Sequence, residues 1–475
     1  MADYLSMLRD EQKELLMERL LAELDLENIS YVRIGGYNAR PRSAKLGLIE
    51  SIRTQSIKGV WRRWARALLG GAYISNGWEP PSSIKKLDEK LNNLMGSIER
   101  PSKISIKVDI IEANPWILGE RLPHELRNIP RLKLLTMKRR EKETEKEIEE
   151  CLYRKLRFTL RIFEHEKLNP TERHFLVSSL IVALSFGGIG SITTRGFGKF
   201  MIKSIKGREK KEFEDLNETL REIYHEKNRN MLAKKLKKLL FDNALRTAKE
   251  YVRSIGDFRK RLNEEYIPSY PIIVDNASIF RLDVPASFNN LERALECIGK
   301  SVMKVAWKRN WREDGKRYHT WVLGMPRGQM LPYEEDGKKV KKKTGYYIKV
   351  RNNLQEGRLR SPISFTLIRS HDHLYHVVVY GFVTRDLALL LERKSNSDIK
   401  QLVHVSIYCT KPSIKRVVGK YKKRNETKVL NDLKLAFRIP PHADRFYCAQ
   451  KAYDHAWERV INHLKRCQGG GNVGF

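Results

Sequence analysis

Hydrophobic and polar positions follow two different periods along this chain. In residues 104–110, isoleucine and valine occupy every second position, which predicts a half-buried β-strand. In residues 56–69, apolar side chains recur at helical spacing, and two glycines, Gly70 and Gly71, follow as the predicted end of the helix. Further strands are predicted at residues 26–33, 200–206, 346–350, 363–369, 374–382 and 402–408.

The clearest helix start lies near the middle of the first half. Asn169 is a favourable N-cap, Pro170 suits the first helical position, and Glu172 completes a capping box. The apolar residues 175–186 that follow predict a buried core helix. This helix runs into a glycine-rich loop, residues 187–199, and then into a predicted strand.

Helices and strands are mixed along the chain without a regular βαβ alternation, which predicts an α+β fold with two small sheets covered by helices. The leucine-rich residues 1–24 predict an amphipathic helix, and the basic residues 338–343 an irregular segment. Residues 207–262 are dense in charge and helix formers, and prolines follow them, so we expect a helical insertion that ends at a domain boundary. The predicted domains are residues 1–265 and 266–475.

The positive charge of the chain far exceeds what solubility requires. Lys and Arg number 92 against 57 Asp and Glu, a formal net charge of +35. The expected partner is therefore a polyanion. No apolar run approaches the roughly 20 residues that span a bilayer, and acidic residues interrupt the N-terminal segment where a signal peptide would be apolar. We expect a cytoplasmic protein that binds nucleic acid and not a membrane.

Cysteine and histidine patterns indicate neither a metal nor a cofactor. The histidine-rich residues 371–376 lie in a predicted hairpin turn without further ligands at metal spacing. A lone histidine such as His124, His165 or His319 would be a candidate general base for RNA cleavage, although none has an activating partner in the sequence. Widely spaced cysteines predict reduced thiols and no disulfide. The five cysteines are Cys151, Cys297, Cys409, Cys448 and Cys467.

The glycine-rich loop predicts a close approach to phosphates, because glycine lets backbone N–H groups come near a ligand. It is not a dinucleotide-binding loop, since Thr193 stands where the third glycine is required. It is not a Walker A loop either, since Phe200 follows Lys199. A tight helix-to-strand connection is the alternative. The predicted RNA-binding residues of the loop are Gly188, Gly190, Arg195, Gly196, Gly198 and Lys199.

A basic stripe is predicted on the helix at residues 56–69. Lys58, Arg62 and Arg66 are four residues apart, so they share a side that can follow a phosphate backbone. An ordinary solvated helix face is the alternative. Trp61 and Trp64 are expected in the core and not as a platform for RNA bases. The loop before the helix adds three further predicted RNA-binding residues, Arg40, Arg42 and Lys45.

Four short segments carry a family resemblance: residues 54–68, 187–199, 323–327 and 358–363. The first is a Trp- and Arg-rich helix, the second is the glycine loop between helix and strand, and the others lie in the second half. Their combination resembles the RAMP superfamily of CRISPR proteins, and within it the first subunits of type III-B Cmr effector complexes.

The resemblance implies two ferredoxin-like, RRM-related domains with helical insertions, in a non-catalytic subunit of a ribonucleoprotein. It implies that the subunit caps the complex near the 3′ region of the guide RNA and helps to capture target RNA for antiviral defence. The implied partners are guide CRISPR RNA, target RNA and other Cmr subunits. Base pairing would then read the sequence while this chain holds phosphates. A metal-independent RAMP endoribonuclease that processes guide RNA and a scaffold for acidic protein partners remain open as alternatives.

Overall fold

The computed structural model describes residues 18–35, 42–43, 48–118, 122–135, 150–209, 211–256, 260–263, 266–302, 322–323, 327–335, 338–350, 356–357, 361–385, 403–408 and 445–469. The strands are β1 Leu20–Asn28, β2 Arg42–Ser43, β3 Leu48–Ile49, β4 Ile104–Leu118, β5 Glu150–Glu164, β6 Phe200–Gly207, β7 Phe280–Phe288, β8 Arg327–Glu335, β9 Lys338–Val350, β10 Glu356–Gly357, β11 Ile363–Arg369, β12 Tyr375–Phe382 and β13 Val403–Tyr408. The α-helices are α1 Thr54–Ser75, α2 Ile84–Met95, α3 Pro130–Leu135, α4 Pro170–Val182, α5 Glu214–His225, α6 Arg229–Lys237, α7 Arg246–Ile255, α8 Leu291–Ser301 and α9 Arg445–Gln468. A 3-10 turn spans His124–Leu126, and π-helical segments span Ala183–Gly187 and Lys238–Leu245.

The first sheet has four antiparallel strands in the order β4-β5-β1-β6. Helix α1 follows β1 and helix α4 follows β5, so these elements run β-α-β-β-α-β along the chain, the order of the ferredoxin-like motif. Leu24 and Leu26 of β1 are buried, whereas Glu23 and Asp25 alternate with them and are partly exposed. One face of the sheet therefore forms the core and the other carries charged side chains.

Helix α4 begins as the sequence predicts. The Asn169 side chain accepts a hydrogen bond from the N–H of Glu172 at 2.9 Å, and the Glu172 carboxylate accepts one from the N–H of Asn169 at 2.9 Å. The helix continues into the π-helical segment Ala183–Gly187, and the glycine loop then leads into β6. The predicted order of helix, loop and strand is confirmed.

Three local predictions are wrong. Residues 20–24 begin strand β1 and do not end a helix, because they pair with β5 and β6. Helix α1 continues through Gly70 and Gly71 to Ser75. The glycines let the helix pack closely against residues 272–273, since a Cβ on Gly71 would lie 1.7 Å from the carbonyl oxygen of Ile273. Residues 338–343 belong to strand β9, which pairs with its neighbour β8.

The second half contributes two more antiparallel sheets. One has the order β11-β12-β7, and the other has the order β10-β9-β13 with β8 paired to β9. The α+β prediction is thereby confirmed, while the second ferredoxin-like domain and the boundary at residue 265 stay predictions. No helix within the described ranges is long and apolar enough to cross a membrane.

A disulfide joins helix α8 to the terminal helix α9. Cys297 and Cys467 are bonded, with their Cα atoms 6.2 Å apart, although 170 residues separate them in the sequence. The prediction of reduced thiols is wrong for this pair, because only the packing of α9 against α8 brings the two cysteines together. Cys151 is buried and takes no part in a disulfide.

Aromatic side chains join the two halves of the chain in one core. The ring of Trp64 lies 5.5 Å from that of Tyr380 and 6.1 Å from that of Phe382, measured between ring centroids. Two side chains of the second half also bond to the end of the helix in the first half. The hydroxyl of Tyr380 donates to the carbonyl oxygen of Phe186 at 2.9 Å. The hydroxyl of Thr366 donates to the carbonyl oxygen of Ser185 at 2.7 Å. The prediction that the tryptophans lie in the core is confirmed, since Trp61 and Trp64 are almost completely buried.

Candidate nucleic-acid interface

The glycine loop folds back on itself and on the segment that follows β1. The N–H of Ile189 donates to the carbonyl oxygen of Gly198 at 2.8 Å, and the N–H of Gly198 donates to that of Tyr31 at 2.9 Å. The N–H of Ser191 donates to the carbonyl oxygen of Arg33 at 2.8 Å. These three amides are therefore bonded within the protein and are not directed at a phosphate.

The tight path of the loop accounts for its glycines. Gly188, Gly190, Gly196 and Gly198 have φ angles of 78°, 98°, 89° and 63°, in the region that side chains rarely adopt. A Cβ on Gly198 would also lie 2.0 Å from the carbonyl oxygen of Ile189. The structure thus supports the alternative of a tight helix-to-strand connection, and a phosphate approach by these glycines stays a prediction.

Arg195 is inserted between the two halves of the chain. Its guanidinium donates to the carbonyl oxygen of Ile363 at 3.0 Å and to that of Leu323 at 3.3 Å, and it lies over the ring of Phe365. The backbone of the loop reinforces this contact, because the N–H of Phe365 donates to the carbonyl oxygen of Thr194 at 3.2 Å. Only 6% of Arg195 is exposed. The structure contradicts the surface position that a phosphate contact by Arg195 requires.

Lys199 is completely buried behind the loop. Its ammonium group donates to the carbonyl oxygen of Phe186 at 2.7 Å and to that of Gly187 at 3.0 Å. Burial, together with the nearby charge of Arg63, holds the pKa of Lys199 well below its usual range. This lysine caps the carbonyl end of the helix that precedes the loop. The structure therefore contradicts its predicted position at the surface as well.

The tip of the loop remains accessible and lies beside Arg33. Gly190 is exposed and residues 191–194 are half-buried. The guanidinium of Arg33 donates to the hydroxyl of Ser191 at 3.3 Å. Arg53, at the amino terminus of α1, donates to the carbonyl oxygen of Gly35, two residues after Arg33. We call Arg33, Arg53, Lys58 and residues 190–194 the loop-tip surface. Sequence reasoning missed Arg33 and Arg53, because only the fold brings Arg33 to the loop and Arg53 to Gly35.

The amino terminus of α1 adds positive charge to the loop-tip surface. Arg53 occupies the N-cap, no side chain caps the helix, and its first turn contains no acidic residue. The partial positive charge of a helix amino terminus attracts anions. Lys58 lies in the second turn, where burial and the charge of Arg62 lower its pKa. This part of the predicted basic stripe stays a candidate phosphate contact.

The rest of the predicted stripe is occupied by helix α2. Arg62 donates to the side-chain oxygen of Asn92 at 2.6 Å and to backbone carbonyls at the end of α2. Arg66 forms an ion pair with Asp88 at 3.3 Å. Both arginines are half-buried and hold two helices together, so the structure does not place them along an open groove. Arg40 and Lys45 lie outside the described residues, and only the backbone of Arg42 is described, in strand β2.

Ion pairs cover the charged face of the first sheet. Three acidic side chains of the central strand β1 form ion pairs with Arg and Lys side chains of the neighbouring strands β5 and β6. The pairs are Glu23 with Arg161 at 2.6 Å, Glu23 with Lys206 at 3.2 Å, Asp25 with Arg157 at 2.6 Å and Glu27 with Lys203 at 3.2 Å. RRM sheets stack RNA bases on aromatic side chains at the corresponding face. The middle of this face is instead occupied by neutralised charges.

The histidine-rich turn divides its side chains between the core and the surface. His376 is buried, and its Nδ1 lies 2.7 Å from the hydroxyl of Ser287. His371 is exposed, and its ring centroid lies 4.2 Å from that of His225 at the end of α5. Within the described ranges, no group of three or more His, Cys, Asp or Glu side chains is arranged to hold a metal ion.

One family model matches part of the sequence. The family model described as the RAMP superfamily matches residues 25–201, which contain the first sheet and the glycine loop. This match confirms the predicted resemblance over that region. No curated protein matches the sequence.

Solved structures show a similar fold over most of the chain. One chain of a type III-B Cmr-beta complex, bound to cognate target RNA and AMPPnP in the presence of ssDNA, is 15% identical with a TM-score of 0.51. That match covers 93% of this chain and 100% of the other. A chain of a Cmr-beta complex bound to cognate target RNA is 16% identical with a TM-score of 0.50, over 91% and 100% of the two chains. Apo Cmr1 from Pyrococcus furiosus is 18% identical with a TM-score of 0.46, over 80% and 93%.

Proposed function

We propose that this chain is a non-catalytic RNA-binding subunit of a type III-B CRISPR Cmr ribonucleoprotein, with guide RNA, target RNA and other Cmr subunits as partners. The observation that carries the proposal is the similar fold, over 93% of this chain, of a chain from a Cmr-beta complex bound to cognate target RNA. The net charge of +35 supports it. In this proposal the subunit caps the complex near the guide 3′ region, and both of its halves are ferredoxin-like modules.

The loop-tip surface is the proposed phosphate contact. Arg33 presents its guanidinium beside the exposed Gly190, Arg53 contributes a second guanidinium near Gly35, and the uncapped amino terminus of α1 adds its partial charge. Contacts of this kind hold a phosphate backbone without reading bases. Sequence specificity then belongs to pairing between guide and target RNA.

The geometry of the histidine pair does not suit a cleavage site built from these two residues. In such a site the phosphate would lie between the two rings, each within about 2.6–3.2 Å of the atom that it protonates or deprotonates. The rings of His225 and His371 are 4.2 Å apart between centroids and tilted by 33°, so they contact each other directly. A phosphate does not fit between them.

The test is a salt series of single-stranded RNA binding to the full chain. We compare the wild type with the double variant Arg33→Glu and Arg53→Glu. The matched control is Lys85→Glu with Lys86→Glu, which makes the same charge change on exposed residues of α2. We expect the first variant to lose more than about tenfold in affinity and to bind with a shallower salt slope, whereas the control stays within about threefold of the wild type.

Three outcomes would contradict the proposal. Equal losses in both double variants would show that the loop-tip surface has no special role. Absence of RNA binding by the wild type at moderate salt would favour a scaffold for acidic proteins. Cleavage of repeat RNA at one position, lost in His371→Ala or another single histidine variant, would identify an endoribonuclease.

A further inference from the structure

A polar cavity lies where the two halves of the chain meet. Its volume is about 640 Å³, within the range of about 300–1,000 Å³ that small-molecule sites occupy. Lys227 and Arg229 contribute to its wall from the start of α6, Phe288 from the end of β7, and Leu374 from the turn between β11 and β12. Gln468 from the end of α9 completes this part of the lining. The cavity therefore depends on the docking of four elements that are distant in sequence.

The charge of the cavity favours an anion. None of the residues that line it is acidic, whereas Lys227 and Arg229 are both cationic. The guanidinium of Arg229 donates to the side-chain oxygen of Gln468 at 2.9 Å and to the carbonyl oxygen of Pro285, both neutral acceptors. These bonds orient the guanidinium without cancelling its charge. Lys227 is 69% exposed and pairs with Asp372 at 2.7 Å.

The amino terminus of α6 contributes little to this attraction. The side chain of Asn228 accepts hydrogen bonds from the N–H groups of Asn230 at 2.9 Å and Met231 at 3.3 Å. Those donors are satisfied within the helix, so the anion must be held by the two cationic side chains.

Other walls of the cavity suit a nucleic-acid base. Phe288 and Leu374 provide apolar contacts, and the amide of Asn289 provides both hydrogen-bond donors and acceptors. Single-stranded RNA is recognised in this way, through an aromatic contact and polar groups at the base edge. A cation for the phosphate and an apolar wall for the base are therefore present in one cavity.

The His225–His371 pair lies next to this cavity. Asp372, the partner of Lys227, is adjacent to His371, and the N–H of His371 donates to the carbonyl oxygen of Tyr224 at 2.9 Å. The two rings are in contact, and both residues are exposed. Aromatic rings at the surface of a basic groove are the usual platforms for unpaired bases.

We propose that the cavity receives one unpaired nucleotide of single-stranded RNA. Lys227 and Arg229 bind its phosphate, Phe288 contacts its base, and the His225–His371 pair stacks on a flanking base. This inference rests on the proposed function, which supplies RNA as the ligand. It adds a contact that recognises unpaired RNA and that is built from residues other than those of the loop-tip surface.

The test compares hairpin RNAs with a blunt end, a 3′ tail of unpaired nucleotides, or a 5′ tail. We expect the wild-type full chain to bind at least one tailed RNA about tenfold more tightly than the blunt hairpin. Lys227→Ala removes an exposed cation, and Asn289→Trp fills the cavity from an exposed position, so both variants should lose this preference while keeping the blunt-hairpin affinity. Lys237→Ala at the other end of α6 removes another exposed charge and should keep the preference.

Photo-crosslinking of a tail that contains 5-iodouridine provides a second readout. We expect adducts in peptides that contain residues 225–230, 287–289 or 371–374, and loss of these adducts in Asn289→Trp. If the wild type binds all three hairpins equally, or if both variants keep the preference for a tail, the cavity is not a nucleotide site although the proposed function stands. If the wild type binds no RNA, the proposed function fails first.

Discussion

The ammonium group of Lys199 lies 2.7 Å from the carbonyl oxygen of Phe186, an oxygen that also accepts a hydrogen bond from the hydroxyl of Tyr380 at 2.9 Å. A lysine from the first half and a phenol from the second half thus meet at the carbonyl end of one helix. Burial raises the pKa of Tyr380 to about 12, so this hydroxyl remains a donor at neutral pH. The glycine loop is held in place by this arrangement.

Replacing Lys199 is expected to reduce stability without an RNA-specific effect. Lys199→Ala leaves buried carbonyls without their donor and opens a cavity, so the free energy of unfolding should fall by about 3–5 kcal/mol. Lys199→Met fills the space and should cost about 1–3 kcal/mol. Urea unfolding measures both. If folded Lys199→Met lost RNA affinity without losing stability, the lysine would be an RNA ligand after all.

Removing the Arg195 side chain is expected to weaken the contact between the two halves. Arg195→Ala removes both hydrogen bonds to backbone carbonyls of the second half, which should cost about 2–4 kcal/mol. Hydrogen exchange should quicken in β11 before it quickens in β1. Uniform exchange across both halves would show that Arg195 does not couple them. Arg253→Ala, at an exposed position of α7, is the control.

Acid should destabilise the protein through His463 on helix α9. Burial and the charges of Arg466 and Arg459 lower the pKa of His463 to about 4, against about 6.5 in the unfolded chain. The unfolded chain therefore binds the proton more readily between these values, and stability falls as the pH drops from 6.5 to 4. Allowing for partial exposure, the loss is about 1–2 kcal/mol. The free energy of unfolding of His463→Gln should change less than that of the wild type between pH 6.5 and pH 4. Identical pH dependence in the two proteins would exclude this histidine as the cause.

Reduction of the disulfide is expected to release α9. A cross-link across 170 residues stabilises by about 4–5 kcal/mol in the chain-entropy model. Reductant should therefore lower the melting temperature of the wild type but not that of Cys297→Ser/Cys467→Ser. Thiol titration of the denatured, unreduced protein should detect no more than three of its five cysteines. Detection of all five would contradict the disulfide.

Local sequence patterns predicted those elements that depend on neighbouring residues. The capping box at Asn169 and Glu172 involves atoms three residues apart, and it forms as predicted. Alternation predicted β4 and β12, and helical spacing placed Trp61 and Trp64 in the core. These patterns succeed because burial of one face of an element is visible in its own sequence.

The candidate site was harder to predict because charge alone does not reveal what a side chain meets. Lys199 and Arg195 stand among glycines and were expected at the surface, yet both bond to carbonyls from elsewhere in the fold. Arg62 and Arg66 have the spacing of a phosphate-binding stripe, but α2 covers them. The cavity and the His225–His371 pair have no local signal at all, since their residues are brought together by the docking of the two halves.

The paired charges across the first sheet also shape the electric field of the molecule. Because Glu23, Asp25 and Glu27 each neutralise a basic neighbour, this face adds little to the potential beyond a Debye length of about 10 Å at 0.1 M salt. The excess of positive charge, +35 over the chain, is therefore carried by residues outside this face. We expect such an uneven distribution to orient an approaching polyanion before contact, and so to raise the association rate without requiring tighter final binding.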